Sequence, residues 1–82
     1  MKVDYNNPRV VDQLRDAPES VRKAFFKQIR FLADDIQHPS LRAKKYDESR
    51  GIWQARVNRD WRFYFLIEND TYIVLDVIRH PK

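Results

Sequence analysis

Hydrophobic residues in the first half of the chain recur every three or four positions. Between Pro18 and Pro39 the apolar positions are separated by 4, 4, 3 and 4 residues, which is the period of one helix face. These positions are Val21, Phe25, Ile29, Leu32 and Ile36. Because the residue before a proline is disfavoured in helical backbone, we expect this helix to end at Pro39.

A shorter helix is predicted ahead of it. Asn7 is a residue type that caps helix N-termini, and Pro8 follows at the first helical position, where a backbone N–H is not needed. The apolar positions of this helix are Val10, Val11 and Leu14, and the helix should end before Pro18. Weak alternation over residues 2–6 indicates a short strand at the start of the chain.

From Ile52 onward the period changes from 3.6 to two, which predicts three strands. The connections between them are rich in Asn and Asp, which tolerate positive φ and favour hairpin loops. We predict three-residue loops at 58–60 and at 69–71. The run Arg42, Lys44 and Lys45, which precedes these strands, is interpreted as a loop.

These loop lengths set the strand register. Val57 then lies opposite Trp61, and Glu68 lies opposite Tyr72. Directly opposed residues share a face, so one face of the sheet is almost wholly apolar. Its members are Trp53, Ala55, Val57, Trp61, Phe63, Phe65, Ile67, Ile73, Leu75 and Val77. A two-residue loop would instead bring charged residues such as Asp76 into that face. The predicted fold is α+β, with an N-terminal helical hairpin packed on one face of a small antiparallel sheet.

Composition narrows the possible chemistry. The chain has 82 residues, enough for a single domain over 1–82, and a net charge of +4. It has no cysteine, which excludes disulfides and thiolate metal sites, and its single glycine excludes phosphate-binding glycine loops. Its two histidines are far apart, so we expect no metal and no cofactor. No signal peptide or membrane span is recognisable, and we expect a cytoplasmic protein.

The predicted register places two arginines opposite each other on the face that the helices leave open. Arg56 lies across from Arg62, and like charges in such a pair repel. One interpretation is a phosphate site, because guanidinium groups bind phosphate oxygens bidentately. The alternative is that both arginines are solvated or paired with Asp76 and Glu68.

Other polar residues accompany this pair. Gln54 lies opposite Tyr64, whose ring could stack on an RNA base. The last strand brings His80 near Arg62, and an imidazole suits proton transfer at neutral pH. His38 is interpreted as a structural residue at a helix terminus. The candidates for binding RNA phosphates without reading sequence are Arg42, Lys44 and Lys45, which could equally be solvated loop residues.

Two stretches of the sequence resemble a known family. They are LRAKK at 41–45 and GIWQARVNRDWRFYF at 51–65. Together with the helical hairpin and the sheet, they resemble the RelE/ParE superfamily of type II toxin–antitoxin toxins over nearly the whole chain. The ending, in which His80 stands two residues before the last residue, is most similar to the YoeB branch of that superfamily.

The resemblance implies an mRNA endoribonuclease that acts on message in the ribosomal A site, contacts rRNA and has a cognate antitoxin. By position, Arg62 matches the arginine that stabilises the phosphoryl transition state, and His80 matches the general acid. Arg56 matches a basic residue that contacts the RNA backbone. The mechanism that the resemblance implies is attack by a 2′-hydroxyl without metal. The RNA-binding candidates are Arg42, Lys44, Lys45, Gln54 and Tyr64.

Three positions differ from the family pattern. Ala43 stands near the place where the YoeB branch has a glutamate base, with Glu48 nearby in the sequence. Pro81 follows the histidine where that branch has a tyrosine, and Gln54 replaces a lysine that RelE uses. Two alternatives therefore stand beside the ribonuclease. They are a ParE-like DNA gyrase inhibitor and a catalytically weak member that binds ribosomes or antitoxin.

Overall fold

The computed structural model describes residues 1–80 as two helices packed on one face of a five-stranded sheet. The elements are β1 (Lys2–Asp4), α1 (Pro8–Asp16), α2 (Glu19–Asp34), a 3₁₀ turn (Pro39–Leu41), β2 (Lys44–Asp47), β3 (Ile52–Arg56), β4 (Trp61–Glu68) and β5 (Thr71–Arg79). The strand order is β1-β5-β4-β3-β2. The predicted α+β class with an N-terminal helical hairpin is confirmed.

The helices begin where the sequence predicts, but the second ends earlier. Asn7 caps α1, because its side-chain oxygen accepts the backbone N–H of Arg9 at 2.9 Å. The expectation that α2 continues to Pro39 is wrong, since the helix ends at Asp34. The carboxylate of Asp35 accepts the backbone N–H of Gln37 at 2.9 Å, a local bond that competes with helical pairing.

A 3₁₀ turn follows α2 and is held to the rest of the fold by side chains. Gln28, buried in α2, donates to the carbonyl oxygens of Ser40 at 3.0 Å and Arg56 at 2.8 Å. The ring of His38 stacks on Phe31 at 3.9 Å, and its Nδ1 accepts the N–H of Ser40. His38 therefore has the structural role expected of it, at the start of the 3₁₀ turn rather than at the end of α2.

The hairpin of β3 and β4 has the predicted register. Trp53 pairs with Phe65, Ala55 with Phe63, and Arg56 with Arg62. Beyond the paired strands, the N–H groups of residues 57 and 58 both donate to the carbonyl oxygen of residue 61, which closes the three-residue loop. The apolar face of this hairpin forms the centre of the core under the helices.

The turn between β4 and β5 is one residue shorter than predicted. Glu68 pairs with Thr71 instead of Tyr72, so that only Asn69 and Asp70 form the loop. Both loop residues have positive φ, 49° and 61°, which is typical of the two-residue turns that match strand twist. The predicted three-residue loop at 69–71 is therefore wrong.

A β-bulge corrects the register farther along the same hairpin. Phe65 pairs with Val74 rather than with Leu75, and the shift occurs between Tyr64 and Phe65. One extra residue on β5 then restores the predicted pairing of Phe63 with Val77. The short turn thus does not bring Asp76 into the core. Three residues predicted in the core lie outside it, namely Ile67, Ile73 and Leu75. Two residues of β5 that were predicted on the other face, Tyr72 and Val74, are buried in the core instead.

The two edge strands make the sheet larger than predicted, and mixed rather than antiparallel. β1 pairs with β5 in parallel, and the long connection that a parallel pair requires contains both helices and the other three strands. At the other edge, Lys44 and Lys45 are part of β2 and pair with Gln54 and Trp53 of β3. The prediction of a loop at these two lysines is wrong. Their charged, non-alternating sequence gives no strand pattern, and lysine on an exposed edge opposes pairing with other chains.

Candidate nucleic-acid interface

The open face of the sheet forms a groove of about 720 Å³. Its walls are the N-terminus of α1, the β2–β3 hairpin and the second half of β5. The lining residues are Asn7, Pro8, Arg9, Tyr46, Arg50, Ile52, Tyr64, Leu75, Asp76 and Ile78. The sheet floor and the flanking helix give this face a concave shape, as binding sites for extended ligands require.

Two polar residues predicted on the open face, one of which lines the groove, bond to each other. Gln54 donates to the hydroxyl of Tyr64 at 2.9 Å, and both side chains are buried. Tyr46 of β2 packs edge-on against Tyr64 with ring centroids 4.9 Å apart, and it is 59% exposed. Sequence reasoning missed Tyr46, because β2 was not recognised as a strand. Tyr46 is the aromatic ring whose exposure best suits base stacking.

Asp76 on the opposite wall is held by α1. Its carboxylate accepts hydrogen bonds from Gln13 at 3.1 Å and from Arg9 at 3.4 Å. Within residues 1–80, no carboxylate lies within 4.0 Å of the guanidinium of Arg56 or Arg62. Of the two alternatives to a phosphate site, pairing with Asp76 or Glu68 therefore does not hold, and solvation of the arginines is left.

Arg62 is held in one orientation by its own loop. Its Nη1 donates to the carbonyl oxygens of Asn58 at 2.7 Å, Arg59 at 3.3 Å and Trp61 at 2.9 Å. Its Nε and Nη2 donate to no group of residues 1–80. Burial, and then the charge of Arg56, lower the pKa of Arg62 from its usual value. A half-buried guanidinium with two free donors beside a second cation favours an anionic ligand.

His80 lies at the same end of the sheet as Arg62. Its backbone N–H donates to the carbonyl oxygen of Asp60 at 2.6 Å, and the residue is exposed. Arg62 pairs with Ile78, and alternate residues of a strand point to the same face of the sheet. His80, two residues after Ile78, is therefore expected on the face that carries Arg62. Asp60 was not among the predicted site residues. The negative charge of its carboxylate acts on Arg62 and opposes the lowering of the Arg62 pKa. The sequence signal that could have identified Asp60 is its position in the loop between Arg56 and Arg62.

Glu48 does not lie near this cluster. It belongs to the β2–β3 turn, at the opposite end of β3 from Arg56. Four residue steps along a strand separate the two ends, roughly 13 Å. Ala43 is half-buried and packs against the core. Pro81, which stands where the YoeB branch has a tyrosine, lies outside the described residues.

The remaining predicted RNA-binding residues fall in two places. Lys44 and Lys45 are exposed on the edge strand β2, where the Lys45 ammonium lies 5.3 Å from the centre of the Trp53 ring. Arg42 precedes β2 in the chain. Together with Arg56 it lines a second cavity beside α2. The structure therefore brings Arg56, Arg62 and His80 to one end of the sheet and spreads the other cations around it.

Residues 1–80 contain no group of three or more His, Asp or Glu side chains placed to hold a metal ion. None of the helices in this range is long and apolar enough to cross a membrane.

Comparison with known proteins supports the fold. No protein-family profile and no curated protein sequence matches the chain. The structure is similar to that of the YoeB/ParE toxin from Agrobacterium tumefaciens, with a TM-score of 0.74 and 14% sequence identity. The match covers 99% of this chain and 100% of the other. The chain thus has the RelE/ParE-like toxin fold that its sequence predicts.

Proposed function

We propose that the protein is the toxin of a type II toxin–antitoxin system and cuts mRNA in the ribosomal A site. The observation that carries the proposal is the meeting of Arg56, Arg62 and His80 at one end of the open face. The fold is that of a YoeB/ParE toxin, which supports the same class of activity. In the proposed reaction a 2′-hydroxyl attacks the adjacent phosphate without help from a metal.

Arg62 supplies the electrostatic stabilisation in this proposal. Its Nη1 is committed to three backbone carbonyls, which fixes the guanidinium before substrate binds. Nε and Nη2 can then donate in parallel to two oxygens of the pentacoordinate phosphorus. Arg56 adds a second positive charge across the strand pair. A bound phosphate relieves the repulsion between the two arginines.

His80 and Asp60 move the protons. Bond formation between the 2′-oxygen and phosphorus releases a proton, which the carboxylate of Asp60 accepts. Cleavage of the bond between phosphorus and the 5′-oxygen leaves an alkoxide, which the His80 imidazolium protonates. The products are a 2′,3′-cyclic phosphate and a 5′-hydroxyl. Asp60 takes the role of base here because Glu48 lies at the far end of β3.

The other candidates position the substrate. Tyr46, exposed in the groove, stacks on a base, while Tyr64 lies beside it and is held by the hydrogen bond from Gln54. Lys44 and Lys45 attract phosphates of mRNA or rRNA from the edge of the sheet. A toxin with such a surface requires a cognate antitoxin, whose disordered segment would fold over it.

The test is induced expression followed by primer extension on cellular message. We expect sharp cleavage at A-site codons with the wild type. His80→Ala should abolish it, and Arg62→Lys should reduce it by 10²-fold or more, since lysine keeps the charge and loses the fork. The matched control is Arg30→Ala, an exposed arginine on α2, which should cleave like the wild type. Thermal melting checks that every variant is folded.

The gyrase alternative predicts a different result. Growth arrest with DNA damage and intact message would assign the protein to ParE-like activity. The name of the solved relative covers both kinds of toxin, so this arm of the experiment is needed. Ribosome binding with uncut message would instead indicate a non-catalytic member, consistent with Ala43 in place of the family glutamate.

A further inference from the structure

A second cavity lies on the helix side of the sheet edge. It has a volume of about 560 Å³ and is bounded by α2, the 3₁₀ turn and the β3–β4 loop. Four basic residues line it, namely Lys27, Arg42, Arg56 and Arg59. No acidic residue is part of its lining. We refer to this cavity as the basic cleft.

The cations of the basic cleft lack partners within the part of the chain that the structure describes. None of the four side chains has a carboxylate within 4.0 Å or donates a hydrogen bond to residues 1–80. Some exposed cations elsewhere do pair, as Lys23 does with Glu19 at 3.5 Å, but the basic cleft brings together four cations that are unpaired within residues 1–80. Arg42 and Arg56 are close enough to Arg62 for their charges to lower its pKa. The cluster is thus a concentration of uncompensated positive charge in a concave site.

The backbone around the basic cleft is fixed in an unusual conformation. Arg42 has φ 46° and ψ 42°, the left-handed region that an arginine rarely adopts. Gln28, at the floor of the cleft, holds this segment in place by bonding to Ser40 and to the carbonyl of Arg56. Strained residues persist where the surrounding structure fixes them, and they cluster at ligand sites. The backbone that carries Arg42 and Arg56 is therefore fixed before a ligand binds.

We propose that the basic cleft binds a second phosphodiester group of single-stranded RNA, apart from the one that is cut. This inference rests on the proposed function. Arg56 lines the cleft and also lies opposite Arg62 on the open face, so one strand can touch both places. Lys27 and Arg59, which neither the open face nor the catalytic cluster uses, hold the second phosphate there. Contacts of this kind position a strand without reading its sequence.

The test measures binding of a fluorescein-labelled 12-nucleotide RNA of mixed sequence by anisotropy, without ribosomes, from 50 to 200 mM KCl. The double variant Lys27→Ala/Arg59→Ala removes two exposed cations of the cleft. The matched control, Lys2→Ala/Arg15→Ala, removes two exposed cations that line neither cavity. Each lost phosphate contact should reduce the salt slope by about 0.7. We expect the cleft variant to lose roughly 25-fold in affinity at 0.1 M salt.

An unchanged slope and affinity in the cleft variant, or equal losses in the control, would overturn the proposal. It would also fail if the cleft variant bound RNA normally but no longer bound a 12-residue polyglutamate peptide, since the cleft would then be a protein-docking surface. The binding assay needs no cleavage. A chain that binds RNA through the cleft yet leaves message intact would refute the proposed reaction and leave the phosphate site standing.

Discussion

Replacing Gln28 tests how the fold holds its functional end together. Gln28 lies on the apolar face of α2 between Phe25 and Leu32, and its side chain is 3% exposed. It makes three hydrogen bonds: its Nε2 donates to the carbonyls of Ser40 and Arg56, and its Oε1 accepts from the Ser40 hydroxyl at 3.0 Å. Gln28→Leu keeps most of the volume and removes all three.

The magnitude follows from these bonds. Each contributes a net 0.5–1.5 kcal/mol or so to the free energy of unfolding. The two groups of Ser40 belong to an exposed residue and can regain bonds to water, whereas Arg56 is only partly exposed. We therefore expect a loss of about 2–3 kcal/mol. In a domain of this size that lowers Tm by about 10–20 °C.

Thermal and urea unfolding measure this loss. The matched control is Gln37→Leu, the same chemical change at an exposed position whose side chain makes no hydrogen bond within residues 1–80. The control should stay within about 0.5 kcal/mol of the wild type. If Gln28→Leu melts within 3 °C of that control, the three bonds do not stabilise the fold as argued.

Three further changes test the turns and the titratable groups. Asp70→Gly should raise Tm by a few degrees, because glycine adopts the positive φ of this turn with less strain; a lower Tm would contradict the two-residue turn. Bonds from Arg50 and Ser49 lower the pKa of Asp47 from 3.8 to about 2. The stability advantage of the wild type over Asp47→Asn should therefore be full above pH 4, shrink as pH falls and vanish below pH 2. An advantage independent of pH would refute this. Burial raises the pKa of Tyr72, so its contribution is present below pH 10 and lost as pH rises through the raised value. Tyr72→Phe should flatten the decline in urea stability between pH 9 and 11, and an unchanged decline would assign it to other groups.

Local sequence determined much of the architecture. The two helices start after Asn7 and Pro18, and these starts are set by side chains or rings that act within a few positions. The pairing of Arg56 with Arg62 follows from the alternation and the short loop between them. The most informative pair of the candidate site was thus predictable, because the register of this hairpin follows from its turn and from the alternation of the two strands beside it.

Other features escaped the sequence because their causes are distant along the chain. β2 has no apolar alternation and exists because β3 offers it a partner edge. The register near Asn69 depends on a bulge that keeps both Val74 and Val77 in the core. In each case packing overrides the local pattern.

The amino-acid composition limits the chemistry available: this is a basic chain without cysteine, whose candidate site is built from arginine, histidine and carboxylate groups. Which of these groups lie close together depends on the tertiary structure. It separates Glu48 from His80 and brings the backbone of His80 against Asp60, at the end of the sheet that holds Arg62. It also gathers Lys27 of α2 and Arg59 of the distant β3–β4 loop in one cleft. Electrostatic interactions depend on distance through space, and the helix packing that sets those distances is a property of the whole core.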